Sequence, residues 1–456
     1  MADILSDSET NASHMSEPLV LTIDEQRMGY MVPGLSGLVN LGNTCYMNAA
    51  LQCLVHTDVF AGYFKSGIYK NDLKHGIIRS LADAKRKALP DGAKLMVKLK
   101  QIKNKFRESI TYKFRNTLLT MWSVNCRVKP KELKYAIGLS NSMFAGFNQH
   151  DSQEFIGFLL DKIHEESKTD VTIDIKKLSP AIEEYIRLEN YYTNNINDVA
   201  ISPKEKAQNK EKFMDYRKLH LKEDAIHKSL LYWQNFIKKN HSVIIDIFTG
   251  LYLNSVQCKQ CDNVSFSFQP ENTLPLCIEQ GHTDVTLEEC LTTNFVSEEN
   301  LSHSCDNAYK CTTCNTLTDA VKKVHIWHAP PCLIIMLKRF YNNGSYLSRN
   351  NRVVKFPISN LNISKYCSEY NKLECMYDLY AVVCQSGSLR GGHYIAYVKN
   401  MLNNEWYKYD DSNVLHIDSS RIENILHTND AYVLFYKRRG QVNLITMDED
   451  NVNIDD

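Results

Sequence analysis

The chain holds 456 residues, of which 43% are hydrophobic, and its 53 basic side chains are balanced by 53 acidic ones. That composition supports a sizeable core in two average domains or one large enzyme, and it gives no global charge to attract nucleic acid or an anionic membrane. No apolar run of about 18 residues suggests a membrane span, and the acidic, polar opening MADILSDSETNASHMSEP is unlike a secretory signal. An intracellular, reducing setting is expected, cytoplasmic and/or nuclear, where the fourteen cysteines are thiols, metal ligands or a nucleophile before they are disulfides.

Residues 1–33 lack a sustained apolar period and read as a flexible tail. From Gly34 a glycine-punctuated extended stretch runs into a helical pattern, with Met47, Ala50, Leu51, Leu54 and Val55 at helical spacing and Asn43 or Thr44 placed to cap it. Basic amphipathic patterns follow over 68–120, marked by Ile77, Ile78 and Leu81 and by Met96, Leu99 and Ile102. In Phe147-Asn-Gln-His-Asp-Ser-Gln-Glu-Phe155, Asp151 and Glu154 have capping-box spacing, and Phe155, Phe158, Leu159 and Ile163 share one face. A buried helix is predicted from near Asp151. Residues 167–240 are charged and Asn-rich, with runs such as PKEKAQNKEKF, and read as a partly helical insertion rather than core. A solvated helical surface is its plainer role, a partner site the other.

From Val243 onward β-branched and aromatic residues dominate, predicting strands at 248–256, 332–337, 379–384, 393–399, 405–409 and 431–436. Turns are expected at Asn342 to Gly344, Ser386-Gly387 and Asn403-Asn404, and an acidic tail over 438–456. Helices first and strands second favour an α+β fold over alternating βαβ units.

A cysteine at a helix start sits among unpaired N–H groups and the positive end of the helix dipole, which favour its thiolate. Cys45 meets that condition, with Gly42 allowing a tight turn before it, although on these facts alone a buried core thiol is the commoner case. The wider string Gly37-Leu-Val-Asn-Leu-Gly-Asn-Thr-Cys-Tyr-Met-Asn48 closely resembles the cysteine box of the ubiquitin-specific proteases, matching at Asn40, Gly42, Asn43, Thr44, Cys45, Tyr46 and Asn48. The resemblance implies that Cys45 is the nucleophile and that Asn40 donates to the oxyanion, a contribution of roughly 3–4 kcal/mol to the barrier. A simple turn asparagine is the alternative for Asn40.

A thiol nucleophile needs an imidazole and a group to orient it. Among fifteen histidines, His393 stands apart because it follows Gly391-Gly392 and opens the strand-like HYIAYVK, where glycines permit close approach by a substrate tail. Downstream, Trp406-Tyr-Lys-Tyr-Asp-Asp-Ser-Asn-Val414 reads as a strand ending in two carboxylates. Together these segments resemble the family's histidine box. By that resemblance His393 is the general base, Asp410 orients it, and Asp411 supports the oxyanion region or the triad.

Cys258-Lys-Gln-Cys261 and Cys311-Thr-Thr-Cys314 form two C-x₂-C pairs separated by residues 262–310. Four thiolates in such knuckles suit a closed, tetrahedral structural zinc. A redox pair lacks its βαβ context, and a degenerate, metal-free site is the other alternative. Cys305 lies near Cys311 but has no C-x₂-C partner. The string from Phe248 to Phe340 also resembles the family's fingers region.

Ubiquitin ends in a basic, extended tail closing with Gly-Gly. By resemblance Gln149, Asp151 and Glu154 lie near the channel for that tail, where the carboxylates meet its arginines, while Gly391, Gly392 and Tyr394 line it. Helix capping is the competing role for Asp151 and Glu154, and a core position for Tyr394. The resemblance spans about Gly34 to Lys437 and implies a papain-like α+β catalytic domain over 34–437. Its parts are a helical thumb (about 34–166), the charged insertion (about 167–240), zinc-ribbon-type β fingers (about 248–325) and a β palm (about 326–437). The implied activity is hydrolysis of the bond after ubiquitin's C-terminal glycine through a Cys45 thioester. Partners would be ubiquitin and ubiquitinated proteins, with structural Zn2+ and no organic cofactor. An inactive ubiquitin-binding module, or the same chemistry on a ubiquitin-like modifier, are the rival readings.

Overall fold

The structure, a computed structural model, describes residues 32–84, 94–173, 178–304, 307–342, 344, 347–388 and 391–440. Expectations for residues 1–31, Cys305, Asn343 and 441–456, and for the side chains of Met96 and Leu99, lie outside the described residues.

Helices fill the first part of the chain: Cys45–Val55, Asp58–Ser66, Tyr69–Ala84, Lys94–Glu108, Ile110–Ser123, Lys131–Ser140 and Ser152–Ser167. All of Cys45–Val55 is buried, its polar Asn48 and Gln52 included, so the helix is enclosed on every side. Ser152–Ser167 starts where predicted, directly after Asp151, and buries Phe155, Leu159 and Ile163 against it.

The later part builds one large sheet. Its order is Asn413–Ile417, Trp406–Asp410, His393–Lys399, Met376–Ser386, Ala431–Arg438, Cys332–Lys338 and Leu274–Cys277, with Leu361–Asn362 added beside Met376. All neighbours are antiparallel except the last pair, which is parallel. Alternate side chains divide between two cores. Ala381, Val383, Val433 and Phe435 face the Cys45 helix. Val382, Cys384, Leu434 and Tyr436 face a second core with Leu287, Leu291 and Val354. Burial on both faces explains why LYAVVC and AYVLFY read as unbroken apolar runs.

The first predicted strand starts later than expected. Val243–Phe248 is a short buried helix capped by Ser242, and the strand is Gly250–Cys258. It belongs to an antiparallel sheet ordered Val264–Glu271, Gly250–Cys258, Ala320–His328, Glu299–Leu301. The Cys258 end of this sheet carries the C-x₂-C pairs.

The charged insertion is more regular than its composition suggests. Pro180–Asn197, Pro203–Leu219 and Leu221–Asn240 are helices; the second opens with a Ser202–Glu205 capping box and a proline in its first turn, and buries no residue. The third departs from the solvated reading. Its Ala225 joins Leu251, Leu253, Phe268 and Trp327 in a core of their own. Fully buried Asp224 accepts from Tyr185 Oη at 2.9 Å, Arg217 Nε at 2.7 Å and Lys228 Nζ at 2.9 Å. Arg217 also donates to Asn263 and Val264, fastening the insertion to the finger sheet.

Candidate active site

Cys45 is the first residue of its helix and is 3% exposed. The turn before it passes through left-handed backbone at Gly42 (φ 107°) and Asn43 (φ 52°), conformations that glycine and asparagine tolerate best. Thr44 occupies the cap position without a side-chain cap, because its hydroxyl accepts from Leu41 N at 2.8 Å instead.

A polar stripe fixes the rest of this helix. Asn48, Gln52 and His56 recur every four residues. They reach successive alternate carbonyls of the extended segment alongside: Asn48 Nδ2 to Leu38 O at 3.2 Å, Gln52 Nε2 to Ser36 O at 2.8 Å, His56 Nε2 to Gly34 O at 3.1 Å. Four helical residues advance about 6 Å and two extended residues about 6.6 Å, so the two repeats run nearly in step. The extended segment is in turn pressed on the carboxylate turn. Leu38 N donates to Asp411 O at 2.8 Å, and a Cβ on Gly37 would stand 2.4 Å from Ser412 O. Only glycine fits there.

Asp411 joins the two boxes. Its Oδ1 accepts from Asn48 Nδ2 at 2.8 Å and its Oδ2 from Asn40 Nδ2 at 2.9 Å. Asn40 is oriented from its other end as well, since its Oδ1 accepts from Gly42 N at 2.9 Å and Thr44 N at 3.1 Å. The amide NH₂ therefore has one direction only.

On the opposing strand, His393 Nε2 lies 2.7 Å from Asp410 Oδ1, and Lys408 Nζ lies 3.2 Å from Asp410 Oδ2. Burial works against ionisation of Asp410, but the hydrogen bonds from His393 and Lys408 outweigh it and hold the carboxyl below its ordinary value. An ionised carboxylate only accepts, so Nε2–H is the donor to Asp410 and Nδ1 is the ring nitrogen left for other partners. The hydrogen-bonding partner of Cys45 Sγ in this conformation is Gln149 Nε2, 3.4 Å away, and the same amide donates to Gly392 O.

The remaining sequence-picked residues divide. Glu154 is exposed. Asp151 is 8% exposed, caps its helix through Gln153 N at 2.6 Å and Glu154 N at 3.3 Å, and accepts from Tyr432 Oη at 2.6 Å. Burial raises its carboxyl, only partly offset by those donors. Gly391 is exposed beside the half-buried Gly392. Tyr394 follows His393 on the strand and so points to the opposite face, where it is 1% exposed within the core.

The knuckle cysteines converge at the fingertip. Cys258, Cys261, Cys311 and Cys314 each place Sγ within 4.8 Å of the others, with Cys261–Cys311 at 3.7 Å and Cys258–Cys314 at 4.0 Å. Tetrahedral Zn–S bonds of about 2.3 Å set S···S near 3.8 Å, so the set fits zinc. Asp262 (φ 55°) and Asn315 (φ 58°) close both knuckles with N–H bonds to the Cys258 and Cys311 carbonyls.

A family described as Ubiquitin carboxyl-terminal hydrolase matches residues 36–436. The chain belongs to the ubiquitin carboxyl-terminal hydrolase family. Human ubiquitin carboxyl-terminal hydrolase 2 is 31% identical over 89% of the chain, which spans 55% of that relative's length. The Gallus gallus protein of the same name is 30% identical over 90% of the chain and 95% of its own length. A chain in a structure of the SAGA Ubp8/Sgf11/Sus1/Sgf73 DUB module bound to ubiquitin aldehyde superposes with TM-score 0.59 at 24% identity, over 90% of this chain and 72% of that one. The fold is accordingly the family's α+β, papain-like fold. Among the described residues no helix is long and apolar enough to cross a membrane.

Within this family fold, sequence reasoning passed over three contributors. Asn48 stood inside the quoted box without a role, though a polar residue three positions after Cys45 on a largely apolar helix was a signal. Lys408, two residues before Asp410 on the same strand, was another. Gln385 had none: it is fully buried and donates to Ser386 O at 3.1 Å and Ser388 O at 3.0 Å, bracing the turn under Gly392.

Proposed function

We propose that the protein is a thiol-dependent deubiquitinase that hydrolyses the amide, usually an isopeptide, after the C-terminal glycine of ubiquitin. The observation that carries this reading is the arrangement of His393–Asp410 on one wall and Asn40–Asp411–Asn48 on the other around a cysteine at a buried helix start. In the reaction His393 Nδ1 takes the Cys45 proton, and Sγ forms a bond to the glycine carbonyl carbon. The second N–H of Asn40, beside the helix N-terminus, is the donor assigned to the oxyanion. As the C–N bond breaks, His393 returns its proton to the leaving lysine amine. Water, deprotonated by His393, then attacks the thioester; its C–S bond breaks, freeing ubiquitin and the thiol.

Glu154, exposed near the cleft, is assigned to the arginines of the ubiquitin tail, with Asp151 behind it as cap and supporting charge and Gly391 and Gly392 as the narrow wall. Cys258, Cys261, Cys311 and Cys314 would hold a zinc ion, which supplies a cross-link between the two knuckles and no reacting group. Substrates are ubiquitin conjugates, supported by the family relationship and by the ubiquitin aldehyde named for the Ubp8 module.

The test is hydrolysis of a fluorogenic C-terminal ubiquitin amide. Native protein is expected to turn it over, and Cys45→Ala and His393→Ala each to lose at least about a thousandfold in kcat. Equal turnover by native protein and Cys45→Ala would overturn the reading.

A further inference from the structure

The nucleophile is covered. Cys45 is 3% exposed although it must meet a carbonyl carbon delivered from outside. The polar group resting on it is the Gln149 amide, which donates at once to Cys45 Sγ, at 3.4 Å, and to Gly392 O. Gln149 is half-buried, and it is followed by His150 and the Asp151 cap of the next helix. Its side chain therefore bridges the two walls of the cleft from a fixed backbone.

The far anchor cannot yield. An added Cβ on Gly392 would lie 2.3 Å from Ser386 O and 2.4 Å from Gln385 Nε2, and fully buried Gln385 holds the turn from beneath. Gly392 O is thus a rigid acceptor, one amide group away from Sγ. A tail whose last carbonyl carbon sits on Sγ brings its own peptide N–H into that same space, one bond from the carbonyl's α-carbon. Two donors then compete for one acceptor.

Resting on the deubiquitinase reading, we propose that Gln149 is a latch on the tail site: its amide holds the place of the substrate's terminal peptide N–H, and the tail must displace it to uncover Cys45. A single hydrogen bond of ordinary net strength keeps the site closed about nine-tenths of the time, so the latch weakens apparent tail binding about tenfold. It also favours tails that can repay the lost bond with a backbone N–H. A terminal residue without one, such as N-methylglycine, gains nothing on entry.

The experiment compares native full-length protein with Gln149→Ala and Gln149→Glu, using iodoacetamide as a probe that needs no ubiquitin. The limiting alkylation rate of Cys45, read on the high-pH plateau where the thiol is fully ionised, reports exposure alone. The latch predicts that Gln149→Ala raises this rate and lowers KM for the ubiquitin amide, each by about tenfold. Gln149→Glu, which keeps the length but loses both donors, is expected to raise the limiting rate too. An unchanged limiting rate in both variants, with KM raised in Gln149→Ala, would make Gln149 a substrate contact and overturn the latch. A protein with no activity on the ubiquitin amide but with the predicted alkylation changes would instead strike the deubiquitinase reading, so the two failures are distinguishable.

Discussion

Asn40 Nδ2 donates to Asp411 Oδ2 at 2.9 Å across 371 positions of the chain. The asparagine assigned to the oxyanion is thus held by the turn that ends the histidine box, and not by its own loop alone. Asp410 and Asp411 are adjacent in sequence yet serve opposite walls: Asp410 faces His393, while Asp411, in left-handed backbone at φ 50°, turns to Asn40 and Asn48.

That division predicts different losses. Asp411→Ala removes an acceptor from both asparagines and is expected to lower kcat for a ubiquitin amide by about 10²–10³-fold with KM little changed, in the range of losing an oxyanion donor. Asp410→Asn leaves the oxyanion side intact and is expected to cost less, because Lys408 and the strand still position the neighbouring groups. Steady-state kinetics of the two variants decide it; the reverse ranking would assign Asp411 to the wrong partner.

The fingertip site predicts one zinc per chain in protein purified without chelator, with Cys261→Ser reducing that content. Three remaining ligands hold structural zinc poorly, and metal binding is linked to folding. Melting temperature is expected to fall in the variant and in chelator-treated native protein alike. Elemental analysis paired with calorimetry reads both; native protein with no zinc would leave the converging thiolates without a role.

A pH effect follows from His56. Burial, against the opposing hydrogen bonds to the Gln52 and Gly34 carbonyls, lowers its pKa from 6.5 to about 4. A depressed folded value means that the unfolded chain binds the proton first. The contribution is therefore fully present above about pH 6.5 and is lost as pH falls through the folded value. It amounts to roughly 3 kcal/mol. His56→Gln is expected to be less stable at neutral pH but to lose less between pH 7 and 4.5. Urea unfolding at both values checks this, and equal acid sensitivity in the variant would contradict it.

Arg217→Ala tests how firmly the insertion is seated. It removes a partner from fully buried Asp224 and two bonds to the finger sheet. A stability loss of about 3 kcal/mol is expected, as for breaking a buried pair. A change within a few tenths would mean that the insertion is only peripheral.

The candidate site was legible as short strings: Cys45 with Asn40, His393 with the Asp410–Asp411 pair, and four knuckle cysteines, and the fold brings Asn40 to Asp411, His393 to Asp410 and the four thiols together. Strand identity was legible from β-branched runs. What escaped was tertiary. Whether Asp151 points to solvent or to Tyr432 depends on a residue far away in the chain, and no local pattern records it. Tyr394 is buried in the core that also holds Cys45, and its place beside His393 in sequence could not tell that position from one lining a channel. The insertion's charge hid Asp224, whose three donors include Tyr185 on a different helix. The Asn48–Gln52–His56 ladder was visible as spacing, but its carbonyl partners were not.

The central claim, a thioester on Cys45, is tested most directly by intact-mass and peptide mass spectrometry after reaction with a ubiquitin bearing a C-terminal electrophile. The account predicts one ubiquitin per chain, linked at Cys45, and none on Cys45→Ala with the other thiols untouched. Equal labelling of Cys45→Ala, or an adduct mapping to another cysteine, would contradict it.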